Sequence, residues 1–151
     1  MPTLIKDGAI AADSWATSAE TEDGQRPLLP PDTWRATEGG AALLLDGDAE
    51  PHDDFAHAPL IAIHFPEFKD GRGLSLATLL RTRHGFTGDL RAIGDVQPDL
   101  VHYLMRCGFT SFVLPDGRDT AVALRSVNVH RHYYQGSVTD PTPLFRSVAR
   151  G

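Results

Sequence analysis

The sequence predicts an α/β fold: a small parallel sheet of βα units, either open or shaped like part of a barrel, with an N-terminal β-hairpin. Short apolar runs that begin near residues 61, 90 and 111 alternate with segments of helical periodicity, as in parallel βα units. An Asp-Gly pair between two apolar stretches near the N-terminus is typical of a hairpin turn. The length of 151 residues corresponds to one domain and is too short for a closed barrel of eight units.

We expect one domain over residues 1–151, divided into an acidic hairpin and loop region (1–59), a βαβαβα core (60–127) and a tail (128–151). Residues 1–60 hold 12 acidic and 3 basic side chains, whereas residues 61–151 hold 8 acidic and 11 basic ones. Because the net charge is −6, nonspecific binding to nucleic acid is not expected.

Composition also restricts the compartment and the cofactors. The apolar runs are too short to cross a bilayer, and the N-terminus lacks the apolar core of a signal peptide, so we expect a cytoplasmic protein without membrane contact. Cys107 is the single cysteine, which excludes an intrachain disulfide, a cysteine-held iron–sulfur cluster and a cysteine-rich zinc site within this chain.

The elements of the N-terminal region are predicted from turn and helix-start signals. Residues 3–15 form a hairpin around Asp7-Gly8, and residues 18–32 form a loop. The Pro30-Pro31-Asp32 sequence favours the start of a short helix that contains Trp34. Residues 41–47 form a strand that ends in a turn, and residues 48–58 form a surface connection or a short helical turn.

The core is predicted as three parallel strands, each followed by a helix. The strands are expected at 60–65, 90–94 and 111–115, and 60–65 reads as a strand covered on both faces. The helices are indicated by the apolar spacing Leu76, Leu79, Leu80, by the stripe Leu100, Val101, Leu104, and by the segment 118–127. Asp95 is expected to cap the second helix. Residues 127–135 are expected to form a last strand.

Candidate binding residues fall where these parallel strands end, since ligands bind outside the carboxyl ends of such strands. Arg72 offers a fork of donors to an anion, and it lies between Gly71 and Gly73 at a helix N-terminus that also holds Ser75. His64 and Asp95 end the first and second strands and are expected at the same rim. The alternative is structural: Asp95 is only a helix cap, and the Asp-Gly-Arg sequence is a turn with a solvated arginine or one paired with Asp70.

Other motifs exclude or weaken specific chemistry. The GRGLSL segment lacks the third glycine of a dinucleotide fingerprint, and no Walker loop, HExxH or GxSxG motif is present. His130 and His132 would share one side of a strand but have no third ligand nearby, so we expect no metal site. Cys107 is expected to be a buried, inert thiol. The cofactor remains unidentified by sequence.

The segment from Phe65 to Leu114 resembles a bacterial family with the domain of unknown function DUF934. The resemblance is carried by FPEFKDGRGLSLATLLR, by GFTGDLRAIGDV and by the helix ending RCGF, with a further likeness at Tyr134-Gln135. Members are described as oxidoreductases involved in sulfite reduction, because their genes neighbour those of sulfite reductase and sulfate assimilation. The resemblance establishes no catalytic residues.

Two functions are compatible with these observations. The resemblance implies an accessory protein of assimilatory sulfite reduction that binds sulfite reductase, its electron donor or a sulfur oxyanion. The alternative is a small enzyme that uses the rim around Arg72, Asp95 and His64 on an anionic substrate. Homo-oligomerisation is compatible with either function.

Overall fold

The computed structural model describes residues 3–12, 27–37, 41–67 and 71–130. The strands are β1 (Thr3–Lys6), β2 (Ala9–Ala11), β3 (Leu28–Leu29), β4 (Ala42–Asp46), β5 (Leu60–Phe65), β6 (Asp89–Gly94) and β7 (Ser111–Leu114). The helices are α1 (Pro31–Ala36), α2 (Arg72–Thr82), α3 (Val101–Cys107) and α4 (Thr120–His130), and short 3₁₀ turns cover Asp53–His57 and Pro98–Leu100.

The strands form one open sheet with the order β2-β1-β7-β6-β5-β4-β3. Strands β3 to β7 are parallel and lie side by side in chain order. The predicted parallel arrangement of 60–65, 90–94 and 111–115 is therefore confirmed. The βα pattern extends further than predicted, because β4 joins the parallel sheet next to β5 and the two-residue β3 follows it.

All four helices contribute to one apolar core on one face of the sheet. Strand residues such as Ile61, Ile63 and Phe112 share this core with Leu76 and Leu80 of α2 and with residues of α1, α3 and α4. This placement follows from the strand order, because right-handed crossovers between consecutive neighbouring strands all pass over the same face. The opposite face holds a separate buried cluster, whose members among the described residues all belong to strands: Leu4, Leu28, Ala42, Leu60, Ala62, Ile93 and Val113.

The N-terminal hairpin is confirmed, and it packs onto the core. Asp7 and Gly8 have φ angles of 55° and 80°, which is the backbone of a two-residue turn with both central residues left-handed. β1 pairs with β7 in the antiparallel direction, so the hairpin extends the parallel sheet past its last strand. Residues 13–15 of the predicted hairpin lie outside the described residues.

The structure corrects the bounds of the last helix and the strand expected after it. The expected last strand at 127–135 is wrong over its described part, because α4 continues to His130 and Val127 packs in the helical core. Residues 131–135 lie outside the described residues. Helix α4 begins at Thr120 rather than at residue 118, since Asp119 accepts a hydrogen bond from the Val122 backbone N–H in the manner of an N-cap. The short helix after Pro30 is confirmed, and its Trp34 Nε1 donates to the Ala41 carbonyl.

A buried polar network joins β1, β6 and β7 near the amino ends of β6 and β7. Arg91 is 3% exposed, and its guanidinium donates to Ser111 Oγ at 3.0 Å and to Asp89 Oδ2 at 3.2 Å. Asp89 also accepts hydrogen bonds from the Thr110 and Ser111 hydroxyls at 2.7 and 2.8 Å, and Lys6 Nζ lies 3.5 Å away. Burial raises the pKa of Asp89, but these donors and the two cations outweigh burial, so the net pKa is lowered.

Arg81 binds the loops at the same edge of the sheet through backbone carbonyls. Its guanidinium donates to Gly108 O at 3.0 and 2.9 Å, to Phe86 O at 3.0 Å and to Gly88 O at 2.8 Å. Burial lowers the pKa of this guanidinium. The side chain therefore holds the end of α3 against the loop that leads into β6.

Among the described residues, no helix is both long enough and apolar enough to cross a bilayer.

Candidate functional site

The carboxyl ends of β4 to β7 meet at one edge of the sheet, as the predicted site requires. Helix α2 starts at this edge with Arg72 as its first residue, so the predicted position of Arg72 at a helix N-terminus is confirmed. Gly71 precedes the helix without a side-chain cap, and the first turn contains no acidic residue. Arg72 and Ser75 are both exposed. Asp70 lies outside the described residues.

A cleft of about 610 Å³ lies between the start of α2 and the loop that follows β4. Gly71, Arg72 and Ser75 line one side, and Gly47 and Asp48 line the other. Its floor is apolar and consists of Ala49, Pro51, Leu76 and Leu79. Arg72 Nη1 lies 3.9 Å from Asp48 Oδ2, and both side chains are 65% exposed. This long, solvated ion pair is weak.

Neither of the two glycines that flank Arg72 has a left-handed backbone. Gly71 has a φ of −71°, and Gly73 is an ordinary helical residue, so neither position needs a left-handed backbone. A Cβ atom at Gly73 would lie 2.6 Å from Cε1 of the buried Phe65 ring, and one at Gly47 would lie 3.0 Å from the Gly73 nitrogen. Gly73 therefore allows α2 to pack closely against β5 and the β4 loop.

Asp95 does not cap the next helix, so that prediction is wrong. The 3₁₀ turn that precedes α3 begins after Gln97, and no side chain caps it. Asp95 Oδ1 instead accepts hydrogen bonds from Gln97 Nε2 at 2.8 Å and from Arg118 Nη2 at 2.7 Å, while Arg118 Nη1 donates to Gln97 Oε1 at 2.9 Å. The three side chains connect the loop after β6 to the loop after β7.

His64 lies on the other face of the sheet from α2. Its strand neighbours Ile63 and Phe65 belong to the helix-covered core, and side chains alternate along a strand. In the sheet register, His64 lies between Asp46 of β4 and Ile93 of β6. The structure therefore groups Arg72 with Gly71, Gly73 and Ser75 in the first turn of α2, whereas His64 lies on the opposite face of the sheet.

The carboxyl edge is strongly acidic. In the described segments at this edge, which are residues 46–51, 66–67, 71–75, 95–100 and 115–119, eight carboxylates accompany two guanidinium groups, for a net charge of −6. The carboxylates belong to Asp46, Asp48, Glu50, Glu67, Asp95, Asp99, Asp116 and Asp119, and the guanidinium groups belong to Arg72 and Arg118. In the part of the chain that the structure describes, no three histidine, cysteine or acidic residues converge on a potential metal position.

Cys107 lies at the end of α3, at the opposite edge of the sheet from this cleft. Burial raises the pKa of its thiol, and the nearby Arg106 only partly offsets that effect. Cys107 is half-buried rather than fully buried, and its raised pKa favours the protonated thiol, so its inertness stays a prediction. The side chain of His130 and the whole of His132 lie outside the described residues, so the paired-histidine hypothesis stays a prediction.

Sequence reasoning missed the contribution of the β4 loop to this edge. Gly47, Asp48 and the apolar Ala49 and Pro51 line half of the cleft, yet the AALLLDG segment was expected to belong to a separate N-terminal region. The available signal was its continuous apolar run, which resembles that of β5 and is typical of a buried parallel strand. Reading β4 as a further parallel strand would have placed its loop beside α2.

The family model of a bacterial protein of unknown function, DUF934, matches residues 42–145. The chain belongs to the DUF934 family. The match begins at the first residue of β4, so β1, β2, β3 and α1 lie outside it, whereas the whole cleft lies inside it. No curated protein and no solved structure is detectably similar to the chain.

Proposed function

We propose that this DUF934 protein is a cytoplasmic accessory protein of assimilatory sulfite reduction that acts by binding a protein partner, either sulfite reductase or its electron donor. The description of the family as sulfite-reduction proteins supports the pathway. The single cysteine supports the accessory role, because this chain cannot supply the four ligands of the reductase's iron–sulfur cluster.

The observation that carries the proposal is that the carboxyl edge is acidic and contains an open, apolar cleft. The Arg118 guanidinium is engaged by Asp95 and Gln97 and so connects two loops. The cleft beside Arg72 is open, has an apolar floor and is surrounded by carboxylates. Such an edge suits a macromolecular surface of complementary charge better than a small anion, which the surrounding carboxylates repel.

Growth on defined sulfur sources tests the pathway. A strain that lacks this gene should fail to grow on sulfate or sulfite and should grow normally on sulfide, which enters metabolism after the reduction step. The wild-type gene supplied in trans should restore growth on sulfite. Normal growth of the deletion strain on sulfite would show that the protein has no necessary role in this reduction.

Direct binding tests the accessory role. Purified protein should bind purified sulfite reductase or its purified electron donor, and affinity should fall between 50 and 500 mM NaCl, since the Debye length shrinks over that range. A flavin or haem spectrum in the purified accessory protein, with sulfite turnover by this chain alone, would contradict the proposal and favour the enzyme hypothesis.

A second candidate function is oxyanion binding at the start of α2. The exposure of Arg72 and Ser75 beside an uncapped helix N-terminus favours it, with Gly71 and Gly73 in the same turn. Asp95 is hydrogen bonded to Gln97 and Arg118, and His64 lies on the other face of the sheet, which favours simple binding over catalysis at one shared site. Titration with sulfite and sulfate tests this candidate: Arg72→Ala should abolish binding, and Asp48→Asn should strengthen it by removing a nearby negative charge.

A further inference from the structure

We propose that the cleft between α2 and the β4 loop is the docking surface for the partner, and that the partner inserts an apolar side chain flanked by lysine or arginine residues. This inference rests on the proposed function, because it requires a protein partner. Beyond the proposed function, the inference names the location of the docking surface and the chemistry of the partner segment that binds there.

The apolar floor of the cleft predicts that the occupant inserts an apolar side chain. Leu79 lies on the sequence spacing that predicted the buried face of α2, yet it is only half-buried, while Leu76 and Leu80 are 3% and 0% exposed. Ala49 and Pro51 face it across the cleft and are also only partly buried. A volume of about 610 Å³ has room for a large apolar side chain and its neighbours.

The charge of the occupant follows from the charge of the edge. Asp48 lines the cleft, Glu50 is the residue between Ala49 and Pro51 of its floor, and both are exposed. Within the described loops at this edge, carboxylates outnumber guanidinium groups by eight to two. A basic segment is attracted to this surface, and an acidic one is repelled. The carboxylates are distributed along the edge rather than gathered at one point, which fits a peptide segment better than a single cation.

A peptide pair tests the proposal on the full-length protein. The probe is a ten-residue peptide of alternating lysine and leucine, and the control replaces each lysine by glutamate. The basic peptide should bind and should shift the methyl NMR signals of Ala49 and Leu79, with binding weakened by 500 mM NaCl. Equal binding of the acidic peptide, or shifts confined to another surface, would overturn the proposal.

Charge variants with a matched control test where on the protein the basic peptide binds. Asp48→Asn and Glu50→Gln should each reduce affinity roughly threefold, the expected scale for a solvated charge pair. Asp7→Asn should leave affinity unchanged, because Asp7 is an exposed carboxylate in the hairpin turn at the opposite edge, beside the amino end of β7, and asparagine also tolerates its left-handed φ of 55°. An equal loss in Asp7→Asn would show that only the overall charge matters and would refute the location.

Arg72 separates this proposal from oxyanion binding. Arg72→Ala should raise the affinity for the basic peptide, since it removes the positive charge that lines the cleft. The same variant should lose sulfite binding if the oxyanion candidate is right. Leu79→Gln should weaken peptide binding while thermal melting verifies that the variant is folded, because glutamine is nearly as favourable as leucine in a helix.

The failure of this proposal can be distinguished from the failure of the proposed function. If the deletion strain grows on sulfite but the basic peptide still occupies the cleft, the pathway is wrong and the docking surface stands. If sulfite reductase or its donor binds with an affinity that Asp48→Asn and Glu50→Gln do not change, the docking surface is wrong. Sedimentation that shows a self-associated dimer dissociated by Asp48→Asn would assign the cleft to a second copy and overturn the proposal.

Discussion

Replacing Gly73 by alanine is expected to destabilise the protein even though glycine is usually the worse helix former. An alanine Cβ at this position would lie 2.6 Å from Cε1 and 2.9 Å from Cζ of Phe65. The Phe65 ring is 1% exposed and packs against Phe109 with a centroid distance of 5.7 Å, so it cannot turn away without displacing its neighbours. The clash must therefore be relieved by movement of α2 away from β5.

The expected change in the free energy of unfolding of Gly73→Ala is the difference between two opposing effects. Overpacking a well-filled core by one methyl group costs about 1–3 kcal/mol. The higher helix propensity of alanine returns at most about 1 kcal/mol. We expect a net loss of about 1–2 kcal/mol in the free energy of unfolding, which corresponds to a fall in Tm of about 2–8 °C for a domain of this size.

Urea denaturation and thermal melting measure the loss, and Gly71→Ala is the matched control. Apart from its chain neighbours, no described residue has a heavy atom within 4 Å of a Cβ at Gly71, and its φ of −71° suits alanine, so this variant should change stability by less than about 0.5 kcal/mol. In a Phe65→Leu background the aromatic atoms that clash are gone, and Gly73→Ala should cost less than half as much. A Gly73→Ala protein as stable as wild type would refute the packing argument.

Three further predictions concern side chains away from the cleft. Arg81→Lys should lower the free energy of unfolding by about 1–3 kcal/mol in urea denaturation, because one ammonium group cannot replace a guanidinium group that binds three carbonyls. An unchanged free energy of unfolding would show that water molecules can replace the guanidinium group at these carbonyls. Asp89 has a lowered pKa in the folded state, so its contribution is present above the unfolded pKa, near 4, and is lost as pH falls through the lower folded value. Asp89→Asn should therefore be less stable at pH 7 and should flatten the stability profile below about pH 5; parallel profiles of the two proteins would contradict this. Burial raises the pKa of Cys107, so its thiol should react with a disulfide reagent at pH 7 more slowly than glutathione does, and an equal rate would show an accessible thiolate.

Most of the elements could be predicted because their signals are local. The Asp7-Gly8 turn needs two left-handed residues, which aspartate and glycine tolerate, and the structure has both. The apolar runs of β5, β6 and β7 are separated by helices, which is sufficient to predict parallel strands. The last helix was mistaken for a strand after Val127, because short apolar and aromatic segments are ambiguous without their packing partners.

The arrangement of the candidate site could be predicted only in part. That Arg72 begins a helix after a buried strand follows from its neighbours in the sequence, and so does the position of Asp95 at a strand end. Arg118, which donates to Asp95, is 23 residues away, and side-chain pairing over that distance depends on which strands are neighbours. The face on which His64 lies depends on which side of the sheet the helices cover.

The sequence by itself determined that this protein alternates strands and helices, that its hairpin turns at Asp7-Gly8, and that its single cysteine excludes a cysteine-held cluster in this chain. The tertiary structure alone decided that β4 lies beside β5, which places the β4 loop against α2 and creates the cleft. It also decided that Gly73 is required by the Phe65 ring. The physical reason is that local propensity depends on adjacent residues, whereas strand order and close packing depend on contacts between residues distant in the chain.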